Sequence, residues 1–455
     1  MSMTSRIKGK SNASITENAL FQYAVIYLIL LAAMLLFYDS TMHCDSAGYS
    51  GLALFFKTNG LFRFDLYQDT YRGYFFSWFL ALLNPGTVFG CQAWVLTLPA
   101  FTALIFAFCL PALFRKVFGC TVSFPRKLVL VGLYLLLFYG LLIYTLSDFY
   151  ACAFALIAVF CIYQMLDQKG LRSGLSAFLA GLSAYAAYNT RPVYIVFLAI
   201  LFIAVLIELI RRRNLRSLLV DAACMIAACA LIAAPQMIIN RNVLGMLTPM
   251  VVNTDGESLY LVQLNWGLTY GKFETFVGSQ LKDVYQIQIK NPFAGPEEWY
   301  SLVPYVKYMV MHPLQYLRML GIHFFNMMDM QYPEVYIKAI RNTAAYRVCS
   351  YSIAFVILCL LRAEIRSHRG HIRSCLKKAR YLIILFISSL AIVPGAVETR
   401  FGLPVALLLW ACAVFGFHPD QLQLGRKQIF AAASCYVLFM AFCFYVSSLT
   451  VYPLK

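Results

Sequence analysis

Residues 192–210 read Pro-Val-Tyr-Ile-Val-Phe-Leu-Ala-Ile-Leu-Phe-Ile-Ala-Val-Leu-Ile-Glu-Leu-Ile, and Glu208 is the single charged residue among these 19. A run of about 20 apolar residues is what an α-helix needs to cross the hydrocarbon of a bilayer. The basic sequence Arg211-Arg212-Arg213-Asn214-Leu215-Arg216 follows directly. Because clusters of Lys and Arg tend to stay on the cytoplasmic side of a span, this stretch predicts both a membrane helix and its direction.

The composition of the whole chain agrees with that interpretation. Of the 455 residues, 61% are apolar and 13% are charged, and the mean hydropathy is +0.71. Soluble domains are about half apolar and about a quarter charged. The sequence therefore excludes a soluble enzyme, a disordered protein and a secreted domain, and it predicts an all-α polytopic membrane protein.

Eleven stretches have the length and hydropathy of membrane spans. They are residues 20–38, 91–114, 128–146, 149–166, 174–190, 192–210, 217–239, 342–361, 381–397, 401–417 and 428–450. A further apolar stretch, 73–83, is too short to cross and is interpreted as an interfacial or re-entrant helix.

Charge fixes the orientation of these spans. With the N-terminus inside and 73–83 not crossing, the cytoplasmic segments hold 22 basic and 5 acidic residues. This is the bias expected of cytoplasmic loops, so the net charge of +17 indicates topology and not binding to nucleic acid.

This topology divides the chain into three parts. Residues 1–239 form a transmembrane core with a first outer loop at 39–90, residues 240–341 form an extracytoplasmic region expected to be mostly irregular and helical, and residues 342–455 form C-terminal transmembrane helices. Long loops in compact proteins are usually functional. The two large outer segments, 39–90 and 240–341, are therefore candidate functional regions on the extracytoplasmic side of the cell (inner) membrane.

Two aspartates stand at that outer face. Asp45 opens an amphipathic helix that extends to about residue 58 and places Tyr49, Leu52 and Phe56 on one side. Asp148 lies at the outer hinge between two spans, where an ionisable group is costly and is a candidate for function. Each aspartate is either the N-cap of its helix or a catalytic group, acting as a general base or as a ligand of Mg²⁺ or Mn²⁺.

Three arginines stand at outer span edges as well: Arg191, Arg241 and Arg400. They are either anchors whose side chains reach the membrane surface or a clamp for phosphate, since Arg offers two parallel donors to phosphate oxygens. The clamp hypothesis predicts that the three converge on one outer cavity. The first loop adds further basic candidates: Lys57, Arg63 and Arg72.

Short motifs follow one another in a family-like order along the chain. They are Asp45-Ser46-Ala47-Gly48-Tyr49 with Asn59-Gly60, Arg115-Lys116-Val117-Phe118-Gly119, Leu146-Ser147-Asp148, Asn189-Thr190-Arg191-Pro192, Asn240-Arg241-Asn242, Asn253-Thr254-Asp255-Gly256-Glu257 and Arg400-Phe401-Gly402-Leu403-Pro404. The ordered set resembles the membrane glycosyltransferases of the GT-C class, which include protein O-mannosyltransferases and the lipid A aminoarabinose transferase. Each motif is weak alone, and the set extends over most of the chain.

That resemblance implies a GT-C-like bundle whose donor is a sugar on polyprenyl phosphate and whose site faces outward. It aligns Asp45 and Asp148 with the two acidic positions of the family, which would also be the ligands of a divalent cation if one is used. Ser46 replaces the second acid of the first motif, and Tyr71-Arg72-Gly73 replaces the family's H-x-P-P-L. The accessory or acceptor-side candidates are Tyr49, Asp65, Asp69 and Glu257.

The sequence therefore favours a glycosyltransferase of the hexosyltransferase class, acting on membrane lipids and on a glycan, lipid or protein acceptor. Because no nucleotide sugar is present outside the cell, an activated sugar must arrive there on a lipid. Three alternatives stay open: an O-antigen ligase or polymerase, a lipid-glycan transporter or flippase, and a non-catalytic scaffold. A transporter would place its ionisable groups near mid-membrane between related halves, whereas these acids lie at the outer edge.

Overall fold

Helices make up most of the protein. The computed structural model describes residues 3–39, 41–84, 87–88, 91–211, 215–255, 257–277, 285–290, 302–339, 341–367, 372–416 and 425–450. Part of the predicted cytoplasmic charge (Arg212, Arg213, Arg369 and Asp420) lies outside the described residues. Apolar runs form helices in a bilayer because their backbone N–H and C=O groups must bond to one another where water is absent.

The first half of the chain contains α1 to α11. Their bounds are α1 Met3–Leu36, α2 Cys44–Asn59, α3 Tyr74–Leu83, α4 Trp94–Leu104, α5 Leu110–Phe118, α6 Phe124–Phe138, α7 Gly140–Ile143, α8 Ser147–Asp167, α9 Leu171–Thr190, α10 Ile195–Arg211 and α11 Leu215–Leu244. A π-helical segment, Ile105–Cys109, joins α4 to α5, and a short hairpin of β1 (Thr87–Val88) and β2 (Cys91–Gln92) precedes α4.

The second half contains a small sheet and eight further helices within the described ranges. Their bounds are α12 Leu259–Thr269, β3 Tyr270–Phe276, β4 Tyr285–Lys290, α13 Leu302–Met311, α14 Pro313–Met328, β5 Tyr336–Ile337, α15 Ala344–Ser367, α16 Ile372–Lys378, α17 Arg380–Ser389, α18 Leu403–Gly416 and α19 Arg426–Thr450.

Eight helical stretches of the described chain are long and apolar enough to cross a membrane. They are Asn18–Leu36, Trp94–Phe118, Ser147–Asp167, Pro192–Arg211, Leu219–Leu244, Ala344–Arg366, Thr399–Gly416 and Arg426–Leu449. The chain is therefore a multi-pass, predominantly helical membrane protein, as the composition predicts. Helix α8 is the most enclosed of these stretches, because 83% of its most apolar 18-residue segment is buried. Its first turn is therefore held firmly by its neighbours.

Three of the eleven predicted spans fall outside this set of eight. The stretch 128–146 divides into α6 and the four-residue α7, and 381–397 divides into α17 and a 3₁₀ turn, Leu390–Ile392. The stretch 174–190 forms the 20-residue α9, which carries many small and polar residues and lies between α8 and α11. The count of eleven spans thus stays a prediction.

The described part of residues 39–90 contains two α-helices at the predicted positions. Helix α2 buries Tyr49 and Phe56, as its apolar periodicity predicts, together with Ser46 and Ala53. Helix α3 has only ten residues, about 15 Å at 1.5 Å per residue. This length is about half the thickness of the hydrocarbon, which fits the interpretation of 73–83 as a helix that does not cross.

The segment that follows α11 is more ordered than the sequence predicts, because its described residues contain a three-stranded sheet in the order β4-β3-β5. Strand β3 pairs antiparallel with β4 and parallel with β5. The sheet joins the C-terminal part of the chain through the Phe273 N–H, which donates to the Val397 carbonyl at 2.8 Å. Close packing at Gly267, where a Cβ would lie 2.2 Å from the Pro394 carbonyl oxygen, fixes α12 on the same segment.

Candidate active site

Asp45 lies in the first turn of α2, but it does not cap the helix. The N-cap is His43, whose backbone N–H donates to the Ser46 Oγ at 3.0 Å. The Asp45 carboxylate instead faces two arginines: Arg72 Nη2 lies 3.1 Å from Oδ1, and Arg400 Nη2 lies 2.7 Å from Oδ2. The interpretation of Asp45 as an N-cap is therefore wrong.

Arg400 is the most connected group of this site. Arg400 lies in the 3₁₀ turn Thr399–Gly402 and is 8% exposed. Its Nε lies 2.7 Å from the Glu398 carboxylate, and its Nη2 donates to the same carboxylate at 2.9 Å. This two-point contact orients the guanidinium so that Nη2 also reaches Asp45, while Nη1 lies 3.7 Å from Asp148 Oδ2. Arg400 thus links the two predicted acidic positions.

Asp148 stands in the first turn of α8 and is 2% exposed. The N-cap of α8 is Leu146, so Asp148 is not the cap either. Its Oδ1 accepts a hydrogen bond from Arg191 Nη1, whereas its Oδ2 accepts none from the residues that the structure describes. The guanidinium of Arg191 lies 4.1 Å from the centre of the Phe401 ring. This contact holds the guanidinium beside Asp148.

Arg72 is positioned by its own turn and by α9. Its backbone N–H and Nη1 both bind Asp69, at 3.0 and 3.4 Å. Gly73 follows, and a Cβ there would lie 1.7 Å from the Asn189 carbonyl oxygen. Because only glycine fits this approach, the turn that carries Arg72 is held against the end of α9, just before Arg191.

We call this group of seven side chains the charged cluster. Its members are Asp45, Asp69, Arg72, Asp148, Arg191, Glu398 and Arg400. Burial raises the pKa of Asp45, but the guanidinium of Arg400 and, after it, that of Arg72 lower this pKa by a larger amount. The net pKa of Asp45 is about 2, which is below its usual value. Asp45 is therefore ionised at neutral pH, and its side chain keeps 41% of its surface exposed to an incoming molecule.

Two clefts adjoin the charged cluster. One has polar walls that include Glu274, Glu334 and Arg400. The other is lined by Asp148 and Arg191 and by an apolar set: Val193, Tyr194, Ile392, Phe401 and Pro404. The cluster thus lies between a polar cleft and a mainly apolar one.

Some of the sequence-predicted candidates come together here and others do not. Asp45, Asp148, Arg72, Arg191, Arg400 and Asp69 join the cluster, and Tyr49 lies beneath it, with its ring centre 5.6 Å from the Arg72 guanidinium carbon. The Tyr49 hydroxyl donates to Ser147 Oγ at 3.2 Å, which ties α2 to the start of α8.

The remaining candidates lie apart from the cluster. Lys57 is exposed in the last turn of α2, and Arg241 is exposed in the last turn of α11. Asp65 forms an exposed pair with Arg63 at 2.9 Å, and the Glu257 N–H donates to Asn253 in a separate turn. The expected convergence therefore holds for Arg191 and Arg400 and fails for Arg241.

Sequence reasoning missed Glu398 and Tyr336. The Tyr336 hydroxyl accepts a hydrogen bond from the Ser46 N–H at 3.2 Å, so β5 supports the start of α2. Glu398 precedes Arg400 by two residues. This spacing between an acidic residue and an arginine is the only signal in the sequence for the contact between Glu398 and Arg400. Nothing local in the sequence marks Tyr336, because its contact joins residues 290 positions apart.

A divalent cation does not fit the cluster as the side chains are placed. Both Asp45 oxygens face guanidinium groups, and Asp148 Oδ1 faces a third. No group of three or more His, Cys, Asp or Glu side chains suited to a metal occurs among the described residues. The chemistry that this site can perform therefore rests on its side chains.

Comparison with known proteins adds no further information on this site, since no protein-family model and no curated protein matches the chain.

Proposed function

We propose that this multi-pass membrane protein is a glycosyltransferase that moves a sugar from a polyprenyl-phosphate-linked donor to an acceptor at the outer face of the membrane. The observation that carries the proposal is the charged cluster. In this cluster Arg400 contacts both the ionised, part-exposed Asp45 and the buried Asp148. Asp148 and Arg400 each stand at the beginning of a candidate membrane span. The resemblance to GT-C enzymes, whose acidic positions align with the same two residues, points to the same chemistry.

The reaction needs a group that handles a proton and a group that handles negative charge. An acceptor hydroxyl oxygen attacks the anomeric carbon of the sugar, the bond from that carbon to the phosphate oxygen breaks, and the phosphate leaves as an anion. Asp45 accepts or orients the hydroxyl proton. Arg400, Arg191 and Arg72 stabilise the charge that grows on the phosphate.

The two clefts support an arrangement of the substrates. The mainly apolar cleft supports a lipid donor by its lining, because it offers the Arg191 guanidinium for a phosphate and apolar side chains for the first prenyl unit. The polar cleft suits a hydroxyl-rich acceptor, because its carboxylates and tyrosine offer acceptors for hydroxyl donors. Arg400 lines the polar cleft and contacts Asp148 of the other, so it would lie where the two substrates meet.

The proposal also keeps the finer topology as a prediction. It places the protein in the cell (inner) membrane with the N-terminus inside, eleven spans and the cluster on the extracytoplasmic side. The ten-residue α3 and the position of the cluster at helix ends support this arrangement.

The test is sugar transfer by the purified protein in nanodiscs, using polyprenyl-monophosphate donors that carry different radiolabelled sugars. Asp45→Asn keeps the shape of the side chain but removes its charge, and we expect the rate to fall by about 10² to 10⁴. Asp65→Asn is the matched control, because Asp65 is an exposed aspartate outside the cluster. A wild-type rate in Asp45→Asn would remove Asp45 from the mechanism.

The donor panel separates the proposal from its alternatives. Transfer from diphosphate-linked glycans alone would favour a ligase or polymerase. Movement of the labelled lipid across the bilayer without transfer would favour a flippase.

A further inference from the structure

The outer region carries an apolar surface that the charged cluster does not use. It lies on α13 and α14, where six apolar side chains have relative exposures between 57% and 80%: Leu302, Val303, Val310, Met311, Leu314 and Leu317. We call these six the apolar face. Proteins in water rarely leave a contiguous apolar patch of this kind uncovered.

The apolar face is not the inner side of these two helices. Their inner side has a small core of its own, in which Tyr305 and Met319 pack against Leu264 and Leu268 of α12. The hydroxyl groups of Tyr305 and Tyr316 meet at 2.8 Å and so join α13 to α14. The apolar face is therefore additional to what the fold of this region needs.

The end of α14 places this surface at the level of the membrane. Asp329, directly after α14, accepts a hydrogen bond from Ser447 of α19 at 2.7 Å, and the Phe325 ring lies 6.5 Å from the Phe442 ring. Phe325 precedes Asp329, and their partners Phe442 and Ser447 follow in the same order on α19. Helices α14 and α19 therefore run in the same direction at this contact. The earlier turns of α14 consequently point from Ser447 toward the middle of the span.

The neighbouring surface of α19 is itself a membrane surface. Helix α19 is a candidate span, and only 6% of its most apolar 18-residue segment is buried. Its Leu438 and Phe442 side chains are 70% and 59% exposed. On α14, Leu314, Leu317 and Phe324 follow at helical spacing toward Phe325. The apolar face is thus continuous with the lipid-facing side of α19.

We infer that the apolar face of α13 and α14 binds lipid and lies among the acyl chains of the leaflet next to the charged cluster. Neither helix has the length of a span, so the two helices would enter this leaflet beside α19 without crossing the bilayer. Lys307 is exposed on α13, and a long basic side chain can reach the phosphate headgroups from such a position. This inference does not depend on the proposed glycosyltransferase activity.

The experiment uses the full chain, one copy per nanodisc, in phosphatidylcholine that contains a phospholipid with a photoactivatable diazirine in its acyl chain. After illumination, trypsin cleavage at Lys307 and Arg318 releases residues 308–318, which include four members of the apolar face. Mass spectrometry then gives the fraction of this peptide that carries lipid. Helix α19 is the positive control, and the exposed turn around Thr254 is the negative control.

We expect lipid on residues 308–318 at a yield within about threefold of α19 and about tenfold above the turn, because the diazirine reacts within the hydrocarbon layer. The double variant Leu314→Asp and Leu317→Asp should lower the yield on this peptide and leave that of α19 unchanged. Labelling of α19 with none on residues 308–318 would overturn the inference, since the face would then be covered by protein.

Discussion

At Asp45, two arginines share one carboxylate, and this sharing decides how the site would respond to an anion. Phosphate oxygens bind a guanidinium with the same paired geometry as a carboxylate. A donor phosphate that draws Arg72 and Arg400 toward itself would therefore leave Asp45 less neutralised. The pKa of Asp45, which the two arginines hold at about 2, would then rise, and Asp45 would become a stronger base as the donor binds.

Arg400→Lys tests whether the shape of this cation matters as well as its charge. A lysine ammonium cannot contact Glu398 at two points and still reach both aspartates. We expect kcat/KM for sugar transfer to fall by about 10² to 10³, the range for the loss of one charge-stabilising donor. The control is Arg63→Lys, at an exposed arginine that pairs with Asp65 outside the cluster. Equal rates for both variants would mean that charge alone suffices.

The pH dependence of stability tests the ionised state of Asp45. Its folded pKa, about 2, lies below the unfolded value of about 3.9. The stabilisation that this carboxylate contributes is therefore complete at neutral pH and is lost as the pH falls through the folded pKa. We expect the difference in thermal midpoint between wild type and Asp45→Asn to be constant from about pH 8 to 5 and to shrink toward about pH 3. A difference that stays constant down to pH 3 would contradict the contact with the arginines.

At the scale of elements, the contact between the start of α3 and the end of α9 holds Arg72 near Arg191. The Phe75 N–H donates to Asn189 Oδ1 at 2.9 Å, and Gly73 lies directly against the Asn189 backbone. Gly73→Ala must move the two segments apart. We expect a loss of stability of about 1–3 kcal/mol, together with a larger relative loss of transfer activity.

Gly51→Ala is the matched control for this substitution. Gly51 lies in α2, and a Cβ there would meet nothing within 4 Å. Alanine at an exposed helical position is favoured over glycine by about 1 kcal/mol. The thermal midpoint of Gly51→Ala should therefore equal or exceed that of wild type. A Gly73→Ala protein that matches Gly51→Ala in midpoint and rate would show that the contact does not position Arg72.

At the scale of the whole molecule, the open question is the number and direction of the spans. A reporter fused after residue 120 should read cytoplasmic, and one fused after residue 290 should read extracytoplasmic. The physical reason is the excess of basic residues in the segments assigned to the inside. The opposite result at either position would require a different set of spans, such as one in which α9 or α6 does not cross.

The sequence predicts the membrane class and the helices α2 and α3, and it selects Asp45, Asp148, Arg191 and Arg400, which the structure brings together. These follow from local hydropathy and from short motifs. It misplaces Arg241, because position at a span edge does not tell which way the helix end faces. It also misses the sheet around β3, whose buried residues do not alternate along the strand. Pairings such as Ser46 with Tyr336 depend on distant parts of the chain and leave no local pattern.

The contact between Asp45 and Arg400 joins residues 355 positions apart, and this separation affects how the protein is made. Asp148 and Arg191 can pair early, since only 43 positions separate them. Synthesis at roughly 5–20 residues per second needs about 10–40 s more to reach Arg400. During that interval Asp45 lacks its nearer cation. A ribosome that stalls after α11 would thus release a chain with an incomplete cluster, and such a chain is a natural target for the proteases that remove unfinished membrane proteins.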